Sequence, residues 1–178
     1  MTSAKIIVCS LDALTDVVTS ASADHLVSLI NDQMMPDTPA TLADARHLKL
    51  PMNDIEVAAP GYVTPSARHV EQLADFALGW NQSNPMVIHC WAGISRSTAA
   101  AFITLCVLNP DMCEREIARL IRKRSATATP NGLLVSCADQ VLGRSGRMVR
   151  AIQEIGRGED ASEGRPFSLA TSVRETER

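Results

Sequence analysis

The sequence predicts an α/β fold with a parallel-rich central sheet flanked by helices. Short apolar runs of strand length alternate with helical stretches in the first half of the chain. That alternation is typical of strand–helix–strand units, which build parallel sheets. The second half shows helical periodicity until it changes character near residue 157. The 178 residues suffice to bury one substantial core, so we expect one folded domain over residues 1–156.

Four apolar segments have the length and residue types of buried strands. They are Lys5–Cys9, His25–Ile30, His47–Leu50 and Met86–Ile88. The second segment could also be a short helix, because periodicity does not separate the two structures in so short a run. Residues 31–45 have no apolar period and are expected to form a loop.

Six segments favour helices, and two of them have specific features. One is predicted to start with Thr64 as N-cap and Pro65 at the first helical position. Another, Ser97–Leu108, is apolar nearly all round and should be buried. The predicted helices span residues 12–21, 65–81, 97–108, 112–125, 131–142 and 145–155.

The last segment of the chain differs in composition from the rest. Gly, Ser, Glu and Arg dominate residues 157–178, with no apolar period. Such a composition cannot bury enough apolar surface to offset the entropy of ordering. The sequence therefore predicts a disordered tail.

The most specific feature is the segment His89–Thr98, which reads His-Cys-Trp-Ala-Gly-Ile-Ser-Arg-Ser-Thr. A Cys and an Arg separated by five residues carry little information alone, since Cys113 and Arg119 repeat that spacing in a charged helical stretch. Cys90, by contrast, lies between a predicted strand and a predicted buried helix, and Gly93 permits a tight turn between them. This context favours a loop that aims its backbone amides at one point.

Each residue type in this loop suits the binding and attack of a phosphate. Loop amides at a helix N-terminus can hold an anion, and Arg96 can offer two parallel N–H donors to two phosphate oxygens. The same surroundings favour the thiolate form of a cysteine, so Cys90 is the candidate nucleophile. Ser97 can donate a hydrogen bond to the sulfur. The candidate phosphate-binding residues are Trp91, Ala92, Gly93, Ile94, Ser95 and Arg96.

His89 and these loop residues resemble the signature of the cysteine-dependent protein tyrosine phosphatases. The length resembles the compact, dual-specificity-like branch, and most of all small bacterial proteins described as predicted protein tyrosine phosphatases. The resemblance is highly specific over residues 86–98 and looser over about 5–142. It does not extend to the last 20 or so residues. It implies the phosphatase fold, a catalytic domain over residues 1–156, and a reaction that needs no metal.

His89 has two candidate supporting roles. It can orient the loop through a backbone hydrogen bond, or it can help to keep the Cys90 sulfur ionised. Pro130-Asn131 resembles the dipeptide with which compact family members open a late helix behind the phosphate loop. The resemblance implies that Asn131 braces that loop, and an ordinary N-cap role explains this residue equally well.

The resemblance also implies a general acid on a separate upstream loop. The chemistry asks for the same group, because expulsion of an alkoxide or phenoxide needs a proton. Asp54 is the preferred candidate, since it follows the predicted strand at His47–Leu50. Ligand sites in parallel sheets gather at the carboxyl ends of strands. Other carboxylates remain alternatives: Glu56, Asp32, Asp37 and Asp44.

The predicted function is hydrolysis of phosphomonoesters through a phosphocysteine, with phosphotyrosine proteins favoured and dual specificity left open. Phosphoinositide-directed relatives usually carry Lys or Arg at the variable loop positions, and here those positions hold none. Two alternatives stand beside it. One is an inactive module that binds phosphate or phosphoproteins, and the other is a thiol-dependent arsenate reductase or sulfurtransferase-like enzyme.

The composition limits which cofactors and binding partners are expected and which cellular compartment is favoured. The four His and five Cys show no metal-ligand spacing, so neither a metal nor another cofactor is expected. An odd number of unpatterned Cys favours a reducing cytoplasm. The sequence has no apolar run long enough for a membrane span, and a net charge of −3 with 3% aromatic residues disfavours a nucleic-acid surface. The expected partner is a phosphorylated protein or an aryl phosphate.

Overall fold

The computed structural model describes residues 4–43 and 46–172. Within them the chain forms a five-stranded sheet in the order β3-β2-β4-β1-β5. The strands are β1 (Lys5–Cys9), β2 (His25–Ile30), β3 (His47–Pro51), β4 (Met86–His89) and β5 (Phe167–Ala170). The helices are α1 (Leu14–Ser20), α2 (Ala67–Gly79), α3 (Arg96–Leu108), α4 (Glu114–Arg124), α5 (Gly132–Val141) and α6 (Arg147–Ile155), with a 3₁₀ turn at Asp32–Met34.

The first four strands are parallel and β5 is antiparallel to β1. Strand β4 lies between β1 and β2, and its Ile88 is in register with Val8 on one side and Val27 on the other. The predicted parallel-rich α/β fold is therefore confirmed. The segment at His25–Ile30 is a strand, so its helical alternative is excluded.

The sheet separates two apolar cores of unequal size. In β1, Ile6 and Val8 face the larger core, which holds side chains from α2 to α6. Ile7 and Cys9 pack toward the smaller core, whose helical members come from α1. This period of two along the strand is what a sheet covered on both faces requires.

Helix α3 lies inside the larger core, as its apolar sequence predicts. All of its residues from Arg96 to Cys106 are buried, and Phe102 is among the largest side chains with no exposed surface. No helix in residues 4–43 and 46–172 has both the length and the hydropathy of a membrane span.

The predicted start of α2 is wrong. Helix α2 begins at Ala67 with Ser66 as its N-cap, so Thr64 and Pro65 precede the helix. The Ser66 N–H donates to His69 Nδ1 over 3.2 Å, which fixes the start of the helix there. The loop expected over 31–45 contains the Asp32–Met34 turn, where the Asn31 side chain accepts the Met34 N–H.

The expectation of a disordered tail is wrong for residues 157–172. Phe167–Ala170 forms β5, and Leu169 enters the larger core at 1% exposure. Strand β5 is held by pairing with β1, at the other end of the described chain. A segment of four strand residues is too short to show a clear apolar alternation, so the strand cannot be predicted without knowledge of its partner. Residues 173–178 of the predicted tail lie outside the described residues.

Replacing Phe102 with Ala should lower the free energy of unfolding by about 3–5 kcal/mol, because the ring is fully buried in α3. Leu78→Ala in α2 is the matched control, since Leu78 is 66% exposed and should change stability by less than about 0.5 kcal/mol. Urea unfolding followed by circular dichroism measures both. Equal losses in the two variants would contradict the core position of α3.

Candidate active site

Cys90 directly follows β4 and begins a loop that ends at the first residue of α3. The loop therefore leaves the sheet at its middle strand, at the carboxyl end where parallel sheets place ligand sites. The Cys90 side chain is buried, and its Sγ lies 3.1 Å from Ser97 Oγ in the first turn of α3. The Ser97 hydroxyl can thus donate to the sulfur. Trp91, the next residue, is 54% exposed at the rim.

Four carbonyl oxygens of this loop are held from outside. Backbone N–H groups from three segments of the chain donate to them: Leu11 to Trp91 (3.0 Å), Gly164 to Ala92 (2.8 Å), Thr129 to Ile94 (2.9 Å) and Asn131 to Ser95 (3.3 Å). In a trans peptide the C=O and the following N–H point in opposite directions, and residues 4–43 and 46–172 contain no cis bond. The N–H groups that follow these carbonyls therefore point into the loop.

Three of those N–H groups, of Ala92, Gly93 and Ser95, have no hydrogen-bond acceptor among residues 4–43 and 46–172, and neither do those of Trp91 and Ile94. The loop ends at the N-terminus of α3, whose dipole adds a partial positive charge. The loop is thus built to accept an anion.

Gly93 allows the loop to approach the end of β1. Its φ is +72°, in the left-handed region, and a Cβ at this position would lie 2.8 Å from the backbone of Cys9 and Ser10. Both the dihedral and the contact exclude a larger residue. The glycine is therefore required by geometry where the loop packs against the end of β1.

Arg96 lies at the wall of the loop and is only 6% exposed. Its Nη1 donates to Met52 O over 3.0 Å. Its Nε is buried and has no hydrogen-bond partner in the described part of the chain. The closest anion is Asp54 Oδ2 at 3.8 Å, which is within an ion-pair distance and too long for a hydrogen bond. A buried guanidinium with an unused donor is costly unless an anion completes it.

Asp54 lies in the loop after β3 and is hydrogen-bonded to Ser95 in the loop between β4 and α3 and to Asn131. Its Oδ1 accepts from Ser95 Oγ at 2.7 Å and from Asn131 Nδ2 at 2.9 Å. The side chain retains 38% exposure. The two donors occupy one carboxylate oxygen and leave Oδ2 facing Arg96. Asp54 is thereby placed beside the loop with one oxygen available for a proton.

The other candidate acids lie elsewhere. Glu56 Oε1 accepts the Gly132 N–H at the start of α5 at 2.6 Å, so this carboxylate caps a helix. Asp32 and Asp37 are exposed in the segment after β2. Asp44 lies outside the described residues. Of the described candidates, Asp54 is the one with hydrogen bonds to the loop residues.

Asn131 makes the contacts expected for both of its predicted roles. Its Oδ1 accepts the Leu134 N–H at 2.9 Å, which makes it the N-cap of α5. Its Nδ2 donates to Asp54, and its backbone N–H donates to Ser95 O. One buried residue thus connects α5, the loop after β3 and the loop between β4 and α3.

His89 is fully buried at the end of β4, and its Nδ1 lies 3.2 Å from Cys90 O. Burial lowers the pKa of His89 to about 4, while its hydrogen bond to Cys90 opposes and the Arg96 charge reinforces the shift. The ring is therefore neutral at pH 7. A neutral ring facing a carbonyl must carry its proton on Nδ1.

The remaining thiols have different surroundings. Burial raises the pKa values of Cys9 and Cys106 to about 12, and the nearby Cys90 adds to the shift at Cys9. Both are therefore protonated core residues at neutral pH, whereas Cys113 is exposed. No group of three or more His, Cys, Asp or Glu with metal-site geometry occurs in residues 4–43 and 46–172.

The C-terminal segment contributes a part of the site that sequence reasoning missed. Gly164 is buried against the loop: besides its bond to Ala92 O, a Cβ at this position would lie 3.1 Å from Gly93 O. The neighbouring Glu163 carboxylate accepts the Ser10 hydroxyl at the end of β1. Alternation of Phe167 and Leu169 was the only local signal of this ordered segment.

The architecture matches solved structures of protein phosphatases. Human DUSP28 aligns with a TM-score of 0.59 at 15% identity, covering 79% of this chain and 92% of that chain. The PTP-2 phosphatase of Cydia pomonella aligns with a TM-score of 0.58 at 20% identity, covering 79% and 90%. PTPMT1 in complex with PI(5)P aligns with a TM-score of 0.57 at 15% identity, covering 84% and 91%.

No family model and no curated protein matches the sequence. At these identities the likeness establishes the fold: the chain has the fold of the dual-specificity and protein tyrosine phosphatases. The fold implied by the sequence signature is thereby confirmed.

Replacing Gly93 with Ala should destabilise the protein and weaken phosphate binding, because the new Cβ would meet the backbone of β1 at 2.8 Å. Gly61→Ala is the matched control, since Gly61 has φ +81° with nothing within 4 Å and should cost only the dihedral term of about 1–2 kcal/mol. Thermal unfolding with and without phosphate measures both effects. Equal unfolding temperatures and equal phosphate shifts would contradict the close packing of this loop.

Proposed function

We propose that this protein is a metal-independent phosphomonoester hydrolase that acts through a phosphocysteine on phosphotyrosine proteins, with dual specificity as its broader form. The observation that carries the proposal is the unused donor of buried Arg96 beside inward-pointing loop amides. These donors belong to the loop that begins at the buried Cys90 and to the first residue of α3. Phosphate oxygens can accept hydrogen bonds from Arg96 Nε and the loop amides, for which no acceptor is present among the described protein groups.

The first step is displacement at phosphorus. The Cys90 thiolate attacks, the S–P bond forms, and the P–O bond to the leaving group breaks. Asp54 gives its proton to the leaving oxygen, and Oδ2 is the position for that proton because it accepts no hydrogen bond, whereas Oδ1 accepts two. Arg96 and the loop amides stabilise the equatorial oxygens, so the charge that develops meets preorganised donors.

The second step is hydrolysis of the phosphocysteine. Asp54, now a carboxylate, takes a proton from water, and the water oxygen attacks phosphorus as the S–P bond breaks. The departing thiolate accepts the hydrogen bond of the Ser97 hydroxyl, 3.1 Å away. Phosphate and the free enzyme result. The positive charge that this chemistry needs is supplied by a fixed guanidinium and a helix N-terminus.

The rim of the site supports an aryl phosphate. Trp91, the residue after the nucleophile, is 54% exposed, and an exposed indole offers a face for stacking against an aromatic leaving group. The variable loop positions provide no second cation for a multiply charged headgroup. The exposed Tyr62 lies on the segment that follows the Asp54 loop. Phosphotyrosine fits these features better than a phosphoinositide.

Cys90→Ser should abolish hydrolysis of para-nitrophenyl phosphate and preserve phosphate or vanadate binding, because the donors of the loop remain. Turnover by the wild type should persist in EDTA. Cys113→Ser is the control, since this exposed thiol has the same spacing to an arginine and lies at the start of α4. Binding of vanadate by a wild type without turnover would instead favour a phosphate-binding module.

Asp54→Asn should lower kcat for para-nitrophenyl phosphate by about 10²- to 10⁴-fold, because it removes the proton donor of the first step. The amide can still accept from Ser95, so the loop contact should persist. Asp75→Asn, at an exposed position on α2, is the control. Unchanged kcat in Asp54→Asn would support thiol chemistry without a general acid, as in an arsenate reductase or a sulfurtransferase.

A further inference from the structure

A chain of four hydrogen bonds runs from the loop after β2 to the backbone of the candidate nucleophile. Thr38 Oγ1 lies 3.0 Å from His47 Nδ1, and His47 Nε2 lies 2.7 Å from Ser28 Oγ. Ser28 Oγ lies 2.6 Å from His89 Nε2, and His89 Nδ1 lies 3.2 Å from Cys90 O. Ser28 and His89 are fully buried, and His47 is 8% exposed.

The sheet register brings these groups together. Ser28 and His89 are direct partners on the adjacent parallel strands β2 and β4. His47 opens β3, on the other side of β2, in register with Leu26. One buried hydroxyl on the central part of the sheet therefore joins two imidazoles from the two strands that flank it.

The carbonyl at the end of the chain fixes the direction of its last three bonds. Cys90 O can only accept, so His89 Nδ1 carries a proton. The buried ring is neutral at pH 7, so its Nε2 accepts, and the Ser28 hydroxyl must donate to it. Ser28 has one proton, and therefore His47 Nε2–H must donate to Ser28. This requirement holds whether His47 is neutral or charged.

The direction matters because of the peptide group at the end of the chain. Cys90 O and the Trp91 N–H belong to one trans peptide and point in opposite directions. A bond that holds Cys90 O against His89 therefore holds the Trp91 N–H toward the interior of the loop. The His89 hydrogen bond thus orients the first peptide of the loop, just as external amides orient later peptides.

We propose that Ser28 and His47 are positioning residues, which act through His89 to hold the Cys90–Trp91 peptide in the orientation that binds phosphate. The inference rests on the proposed function for the role of Cys90 as nucleophile. Neither Ser28 nor His47 touches the loop directly in this chain of bonds; each acts by fixing which ring nitrogen of His89 carries the proton.

The test compares four variants of the full chain. Ser28→Ala and His47→Leu break the chain, whereas His47→Gln keeps an N–H donor at the position of Nε2. His25→Leu is the control, since His25 has the same 8% exposure and pairs with Asp24 away from the loop. The measurements are kcat and KM for para-nitrophenyl phosphate, the dissociation constant of inorganic phosphate, the unfolding temperature, and the imidazole ¹⁵N shifts of His89 at pH 7.

Ser28→Ala and His47→Leu should lower kcat/KM by about 10- to 100-fold, the cost of a misplaced binding group, and weaken phosphate binding. His47→Gln should restore most of the loss, and His25→Leu should leave both constants unchanged. The wild-type ¹⁵N shifts should show a protonated Nδ1 and a bare Nε2, and Ser28→Ala should shift both signals.

Equal losses in His47→Leu and His47→Gln would overturn the proposal, as would a lower unfolding temperature with unchanged phosphate binding. A wild-type ring protonated on Nε2 would overturn it as well. Failure of the proposed function can be told apart from failure of this inference. If the wild type shows no turnover, phosphate affinity and the His89 shifts still report on the series of hydrogen bonds.

Discussion

The outward anchoring of one loop is the constraint on which the rest of this structure depends. Between β4 and α3 the carbonyls are bound from outside, so the amides that follow them are turned inward. Free amides that face one another repel and would otherwise rotate toward water or toward their own carbonyls. Here the anchors come from three parts of the chain, which are the segments after β1, before α5 and before β5.

The fold supplies these anchors because β4 is surrounded on every side. The segment that follows β1 provides Leu11, while the start of α5 provides Asn131. Buried α3 fixes the far end of the loop within the larger core. Positive charge is fixed in the same way, since Arg96 is held by Met52 O at the end of β3. The site is thus preorganised by backbone contacts, and only a few side chains carry the proposed chemistry.

The sequence predicts the elements that surround the candidate site where the information is local. The strand, the loop with Gly93 and the buried helix follow from residues that are adjacent in the chain, and context alone separates Cys90 from the identically spaced Cys113. Asp54 could be selected because the ends of parallel strands share one edge of the sheet. Its rival Glu56, two residues away, could not be excluded before the Gly132 contact was known.

The features that sequence reasoning missed are long-range and rely on backbone groups. The Gly164 amide binds a loop carbonyl, and any residue type presents the same amide, so no pattern marks it. Ser28 and His47 are ordinary strand residues until the register aligns them with His89. Thr64 was a reasonable N-cap, and Ser66 displaced it because His69 could accept its N–H. The partners of Gly164, Ser28 and His47 lie far away along the chain, whereas the N-cap depends on a residue three positions away.

The segment before β5 has a thermodynamic consequence for anion binding. Gly164 holds the Ala92 peptide, and the same segment is anchored to β1 through β5 and through Thr171, whose N–H donates to Ala4 O. If an oriented Gly93 amide strengthens binding of an anion, then a bound anion must stabilise the docked C-terminal segment by the same free energy. Anion affinity and the docking of an edge strand are therefore linked quantities in this protein. A molecule that displaced β5 would therefore lower the affinity for the anion without entering the site.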